Sequence, residues 1–445
     1  MLNPHLKKMF KWVLYSIALV ILVILLGLGY FFRTAFYNRF VFYPQEQSAW
    51  NELRAQRIEP SLDDGWNDYP GVCHSHSELS HDSQVPFERI LEVLKKENRK
   101  FICMSDHCID GKADYSLQWR GKHEGVVFIP GFEMPHGFMP WGLPSNTVLN
   151  CNDEPEKLAR EIAQNGGILF FAHSEEDRKW HIPELVGMEI YNIHTNFKSL
   201  TRNYLIFTLI PNILVNINKY HEQLLRSIFS PLTQVISKWD ELNISRKIVG
   251  IAGNDCHENT GLVGKITPQG TLSIEDTSPD KIAEYKLNFF SRIFLRILFG
   301  KLEPNRVLFH IQLDPYDLMV RYVATHILAR ELTEESVLDA LKNGRVYIGF
   351  DMIVDSTGFV YFAEGNGVKK VIGEKIEFTP DLILKMASPV PCKFIIFRHG
   401  VKVAEGEGRE YMWKPGEKGK YRVEAHLKVN NSWVPWVYTN PIEVY

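Results

Sequence analysis

Residues 101–107 read FICMSDH, and residues 71–83 just before them read GVCHSHSELSHDS. A short apolar run is a form that recurs, and several such runs end in His, Asp or Glu. It returns as GVVFIPGFE at 125–133, GILFFAHS at 167–174, GMEIYN at 187–192 and KIVGIAGNDCH at 247–257. Continuous apolar runs of this length suit strands buried on both faces. Helical stretches of mixed character lie between them, PFERILEVLKKENRK at 86–100 and EPEKLAREIAQNGG at 154–167. Strands alternating with helices argue for a parallel sheet or barrel, in which chemistry gathers at the C-terminal ends of the strands.

Outward from this region the pattern changes. Residues 195–245 are helical, rich in Leu, Ile and Phe, and interrupt the rhythm as an insertion. A helix over Leu287–Phe299 carries Phe289, Phe290, Ile293, Phe294, Ile297 and Leu298 with Arg292 and Arg296. It fits either an interfacial amphipathic helix or an ordinary packing helix with two solvated arginines. ELTEESVLDALKNGRVYIGF at 331–350 is a helix stopped by Gly344 and followed by a strand. Residues 351–445 turn to β character, with a hairpin around His399-Gly400, and are expected to form a small β-sandwich.

At the other end, Trp12–Phe32 carries no charge and would span about 30 Å as a helix, the thickness of a bilayer core. The run is long for a cleavable signal peptide, and no A-x-A-like site follows it. Residues 1–33 are therefore expected to be a cytoplasmic tail and single transmembrane anchor. Residues 34–65 follow as a connector with a short helix from Gln45 to Arg57, and residues 66–350 as the main body. Lys7, Lys8 and Lys11 precede the span, and Arg33 and Arg39 follow it. The excess of one charge places the N-terminus in the cytoplasm and the body outside.

The chain has 445 residues, 45% hydrophobic and 23% charged, with a net charge of -3. That composition excludes wholesale disorder and disfavours a nucleic-acid partner. The six cysteines, Cys73, Cys103, Cys108, Cys151, Cys256 and Cys392, contain no CxxC pair. Neither a disulfide scaffold nor a zinc ribbon is expected. Cys73 and Cys256 adjoin candidate ligands but are expected to be packing residues. There is no GxSxG, no P-loop and no GxGxxG after a strand, which argues against serine hydrolase, ATPase and dinucleotide chemistry.

His74 and His76 form an HxH, and in a strand both imidazoles would share a face and reach one metal ion. His81 follows in SHDS, His107 ends SDH, Glu133 ends GFE, His173 ends FAH, and Asp255 and His257 close GNDCH. Nitrogen and oxygen donors of these types suit Mn, Fe or Zn. Each position alone is ordinary; successive strand ends carrying metal-ligand chemistry are not.

In this order HSHSELSHDS, MSDH, GFE, AHSEE, EIYN and GNDCH resemble the polymerase-and-histidinol-phosphatase (PHP) superfamily of metal-dependent phosphoesterases, from about Gly71 to Phe350. The resemblance implies a distorted (β/α)7 barrel holding two or three divalent ions. It implies that His74, His76 and Asp255 hold the first ion and that Glu133 bridges it to a second ligated by His173. His81, His107 and His257 would hold the third. Asp106 would orient a histidine, and Glu189 and Asn192 would support the site floor. Glu133, Asp255 and His257 are the candidate catalytic residues. Arg178 and Lys179, after the AHSEED loop, could contact a phosphate or be a solvated helix start. Two departures stand out: Val72 occupies a position where the family has Asp, and only His136 or Asn146 is near where another His often follows the bridging Glu. The expected activity is hydrolysis of a phosphate ester by a membrane-anchored enzyme. The alternatives are a non-catalytic metal-binding module acting through its β-domain, and a metal hydrolase with a non-phosphate substrate.

Overall fold

The computed structural model describes residues 4–277 and 281–445. The chain divides into two compact units, Met1–Ala49 with Phe197–Ile228, and Trp50–Asn196 with Phe229–Tyr445.

The first unit is built on the helix Pro4–Tyr37. From Met9 to Tyr30 its large apolar side chains stand out on every side, from 49% exposed at Leu14 to 68% at Tyr30. A helix apolar all round and uncovered suits lipid, and its length fits a membrane anchor or a signal sequence. A π-helical turn at Asn38–Phe42 leads into the helix Tyr43–Ala55. Part of the helical insertion packs on this region. Asn38 donates to Asn212 Oδ1 at 2.8 Å, Asn216 donates to the Ala35 carbonyl at 3.1 Å, and the Phe31 and Phe207 rings meet at 6.1 Å.

The second unit is mixed α/β, with a large open sheet of 14 strands. Asn67–Cys73, Phe101–Cys103 and Val126–Ile129 pair in parallel within it. Ile168–Phe171, Leu185–Asn192 and Val249–Gly253 pair in parallel in a separate four-stranded sheet. The expected (β/α)7 barrel does not close. The free edge of Asn67–Cys73 is taken by the antiparallel strand Ala324–Ala329 in the register Asn67↔Ala329 to Gly71↔Thr325. The free edge of Ile168–Phe171 is taken by antiparallel Phe138–Trp141. Between the two sheets only isolated bridges form among the described residues, Ser75↔Cys256 at one side and Gly131↔Trp141 at the other. Apolar runs report burial on both faces and say nothing of which edge is hydrogen-bonded, so the alternation showed strands but not their partners.

The separate C-terminal sandwich is also corrected. Val346–Gly349 joins Ala324–Ala329 to Ser432–Thr439 through Tyr347↔Thr439, Ile348↔Tyr438 and Gly349↔Val437, so the C-terminal strands extend the same large sheet. Strands of both sheets bury one core, including Cys73, Phe101 and Val127 from one and Phe170, Val249 and Ile251 from the other. The helix Glu334–Asn343 covers it with Val337 and Leu341. Thr333 Oγ1 caps this helix by accepting from the Ser336 amide at 3.1 Å, and Gly344 ends it at φ +69°. A further four-stranded sheet, formed by Lys281–Tyr285, Leu272–Glu275, Gly261–Ile266 and Val307–Gln312, carries the helix Phe289–Phe299.

Candidate metal centre

The parallel strands stop just short of the candidate ligands. Asn67–Cys73 ends one residue before His74, which turns into the left-handed region at φ +64°. His173 and Asp255 do the same at φ +45° and +52°. Such backbone is costly for a non-glycine residue and persists where surrounding bonds fix it. Here the Asp255 amide donates to the His74 carbonyl at 2.7 Å, and the His76 amide to the Cys256 carbonyl at 3.0 Å. The HxH pair therefore converges through a turn rather than along a strand face.

Four overlapping groups of donors could each hold a cation: His74, His173 and Asp255; His74, His76 and Glu133; His76, Asp82, His107 and His257; and His194, Asp255 and His257. His74 Nε2 lies 3.1 Å from Asp255 Oδ1 and 3.3 Å from Glu133 Oε2. His173 Nε2 lies 3.4 Å from Glu133 Oε1, and His257 Nε2 lies 3.2 Å from Asp82 Oδ2. Ligand atoms about 2.0–2.2 Å from one ion lie roughly 3–3.5 Å from each other, so these separations fit shared coordination. Nε2 of His74, Nε2 of His76 and Oδ1 of Asp255 are buried and make no hydrogen bond. Buried polar atoms left so are rare, and a divalent cation accounts for all three at once.

The supporting residues fix which ring nitrogen faces the cluster. Glu189 Oε1 accepts from His74 Nδ1 at 2.5 Å, leaving the Nε2 lone pair directed inward. Glu189 Oε2 also accepts from the His173 amide at 2.8 Å. The strand Val249–Gly253 comes so close that a Cβ on Gly253 would sit 2.1 Å from Glu189 Oε1. Asn192 donates to Glu189 and to Asp255 and accepts from the His194 amide. Asp106 does not touch a histidine. It accepts from the Ser77 amide at 2.6 Å, from Gln118 at 2.6 Å and from Ser80 Oγ at 3.3 Å, and Ser80 Oγ in turn meets His76 Nδ1 at 2.9 Å. His257 Nδ1 donates to the Asp255 carbonyl at 3.0 Å, which turns its Nε2 toward Asp82.

Burial alone would strip protons from these histidines. At His76 it does, helped by the neighbouring His257 charge, and the pKa falls to about 3. Elsewhere burial is outweighed. Asp255, Glu189 and Glu133 hold His74 well above its ordinary value, and Glu175, Asp255 and Glu189 lift His173 to about 9. Burial would raise Asp255, but His194 and His74 hold it well below the carboxylate range. The cluster therefore draws positive charge, which a divalent ion supplies in concentrated form.

The structure brings His74, His76, His107, Glu133, His173, Asp255 and His257 together, and it adds Asp82 and His194. His81 is exposed and belongs to none of the groups; its ring lies tilted against that of His107 with centroids 4.8 Å apart. Its neighbour Asp82 faces His107 and His257 instead. The signal for Asp82 was an acid beside a histidine in SHDS, where a one-residue choice decides which side chain turns inward. His194, in YNIHTN, was passed over because it opens the helix Ile193–Lys198 after a strand already assigned its functional residues. His136 enters none of these groups. Arg178 is engaged by the Ala172 carbonyl and Glu176, and Lys179 by Glu156. Cys108, next to His107, forms a disulfide with Cys151 across 43 residues, a pairing the cysteine spacing did not suggest. Cys73 and Cys256 are free and buried.

Beside His257 opens a cavity of about 240 Å³, lined by Arg89, Glu258, Asn259, His310 and Gln312 among others. Compared with protein-family models and with curated proteins, the chain has no match in either, so the geometry of the site carries the chemistry.

Proposed function

We propose that the chain is a membrane-associated, metal-dependent phosphoesterase of the PHP type, and that the convergence of nine N and O donors from His74, His76, Asp82, His107, Glu133, His173, His194, Asp255 and His257 is what carries this reading. The order of the motifs along the chain supports it. Two or three divalent ions held by these residues would supply the acidity that ionises a water near neutral pH and the charge that neutralises phosphate oxygens. Glu133, with Oε1 toward His173 and Oε2 toward His74, is placed to link neighbouring ion positions. Glu189 and the Ser80–Asp106 pair hold the histidine tautomers that leave Nε2 available. The cavity beside His257 would receive the organic part of the ester, and Arg89 and His310 supply hydrogen-bond donors there.

Placement of the body outside the cytoplasm is part of the proposal. The basic residues flanking the apolar helix favour it, and so does the Cys108–Cys151 disulfide, since such bonds persist in oxidising compartments.

The test is elemental analysis of the full chain beside a His74→Ala/His76→Ala double mutant, followed by a panel of phosphomonoesters, phosphodiesters and amides. Two or three ions per chain with turnover of a phosphate ester supports the reading. Metal without turnover of any phosphate ester overturns it in favour of a binding module or another hydrolase.

A further inference from the structure

The helix Phe289–Phe299 was open between packing and interfacial roles in the sequence. The structure shows only Leu295 of this helix buried. Phe289, Phe290, Phe294, Ile297 and Leu298 are 57–78% exposed, and Ile293 is 43% exposed. At about 100° per residue these six side chains cover about half of the helix circumference, with Leu295 on the opposite side. The helix is nevertheless firmly formed and seated. Asn288 Oδ1 caps it by accepting from the Ser291 amide at 2.8 Å, and Gly300 ends it at φ +78°. Phe299 packs on Phe309 of the strand Val307–Gln312 at 6.0 Å, and Arg292 donates to the Gly270 carbonyl at 3.1 Å. Its outward face is thus apolar by placement and not by fraying. Ile282 and Tyr285, on the strand Lys281–Tyr285 that precedes the helix, are exposed as well. Contiguous apolar surface on this scale marks an interaction site.

We propose that this face lies flat in the headgroup region of a lipid bilayer, as a membrane contact additional to the N-terminal helix. Two observations select lipid as the occupant. Between Lys286 and Arg306 the chain has five basic residues, Lys286, Arg292, Arg296, Lys301 and Arg306, against the single acid Glu303. An apolar face bordered by cations complements the acyl boundary and anionic headgroups together. The apolar helix Pro4–Tyr37, whether anchor or signal sequence, also delivers the chain to a membrane. The strand Val307–Gln312 that seats the helix carries His310 and Gln312, which line the cavity beside His257. The same sheet therefore joins the lipid-facing helix to the wall of the candidate substrate pocket.

The experiment uses the full chain in nanodiscs of phosphatidylcholine with phosphatidylglycerol. Nitroxide labels are placed singly through Phe290→Cys, Phe294→Cys and Ile297→Cys, with Val401→Cys on an exposed hairpin as the aqueous reference. Metal content equal to the parent reports an intact fold. The expected result is high oxygen and low nickel-chelate accessibility at 290, 294 and 297, corresponding to a depth of about 5–10 Å, and the reverse at 401. Arg296→Glu with Lys301→Glu should reduce that depth. Nickel accessibility at 290, 294 and 297 equal to that at 401 overturns the proposal. So does spin–spin broadening between copies at 297, which would assign the face to a second chain.

Discussion

Two clusters of buried histidine and carboxylate lie in the same unit, and they differ in what their polar atoms lack. Around His326 every charged group is answered from within the protein. His326 Nδ1 meets Asp68 at 2.9 Å, and its Nε2 meets Asp351 at 3.2 Å and Ser356 at 3.1 Å. Arg99 donates to Asp351 at 2.6 Å, and the Ser356 amide donates to its other oxygen at 3.0 Å. Around His74 the support is just as extensive, yet Nε2 of His74 and of His76 and Oδ1 of Asp255 point at one another without a hydrogen bond. Residue types are the same in both places. What separates a closed structural network from a candidate ion site is the direction in which the supporting residues leave the lone pairs.

The widest separation between the clusters comes from truncating each. His74→Ala/His76→Ala should leave less than about one ion per chain and abolish turnover. His326→Ala should keep the full metal content of whatever folds but lower stability by about 3–5 kcal/mol, because Asp68 and Asp351 lose a buried partner. Metal loss in His326→Ala with unchanged stability would erase the distinction.

Chelation sharpens the same contrast without a mutation. Each ion present at about a thousandfold over its Kd stabilises the folded state by about 4 kcal/mol, and that increment should vanish on chelation and return with the metal. Cleavage of the Cys108–Cys151 disulfide is expected to cost a similar amount. Closing a loop of 43 residues is worth about 4 kcal/mol in the chain-entropy account. Since Cys108 adjoins His107, Cys108→Ser/Cys151→Ser should also weaken the ion held by His76, Asp82, His107 and His257 more than the others. Equal loss from all groups would show a global effect instead.

Within the metal cluster, smaller changes rank the residues. Asp82→Asn should reduce bound metal by about one ion, while His81→Ala should leave it unchanged. Glu189→Gln keeps the shape but weakens the acceptor on His74 Nδ1, so affinity should fall about 10–100-fold. If His81→Ala proves the more damaging, the ligand assignment in the SHDS turn is reversed.

The legibility of the sequence follows the same division. Strand ends carrying His, Asp and Glu were readable because apolar runs and ligand types are local properties. Asp82 and His194 were not, since a turn decides which neighbour faces inward and a helix start hid the other. The HxH rule named a pair that the structure brings together, but its strand-face reason does not hold here, because His74 leaves the strand at positive φ. The barrel and the separate sandwich failed together. Ala324–Ala329 and Val346–Gly349 read as ordinary buried strands, and nothing local states that they bind the edge of Asn67–Cys73 and carry the sheet on into the C-terminal strands. The exposure of Phe289–Phe299 was likewise undecided, since composition does not reveal which face meets the sheet.

The answered cluster is also expected to respond to pH. His326 is fully buried, which by itself would lower its pKa, but Asp68 and Asp351 raise it from about 6.5 to about 10. The folded protein therefore binds a proton there that the unfolded chain releases above pH 6.5. This contribution to stability is complete below about pH 6.5 and is lost as pH rises through about 10, with a slope of no more than about 1.4 kcal/mol per pH unit. Asp351 runs the other way. Burial opposes its ionisation, but His326 and Arg99 hold it below the usual carboxylate range. Its contribution is present above about pH 4 and is lost as pH falls through its folded value. Urea midpoints of the parent and of His326→Gln, both metal-stripped, should diverge most below pH 6.5 and converge toward pH 10. A constant offset across that range would mean that His326 is neutral in the folded protein, and that this cluster is held by hydrogen bonds without charge.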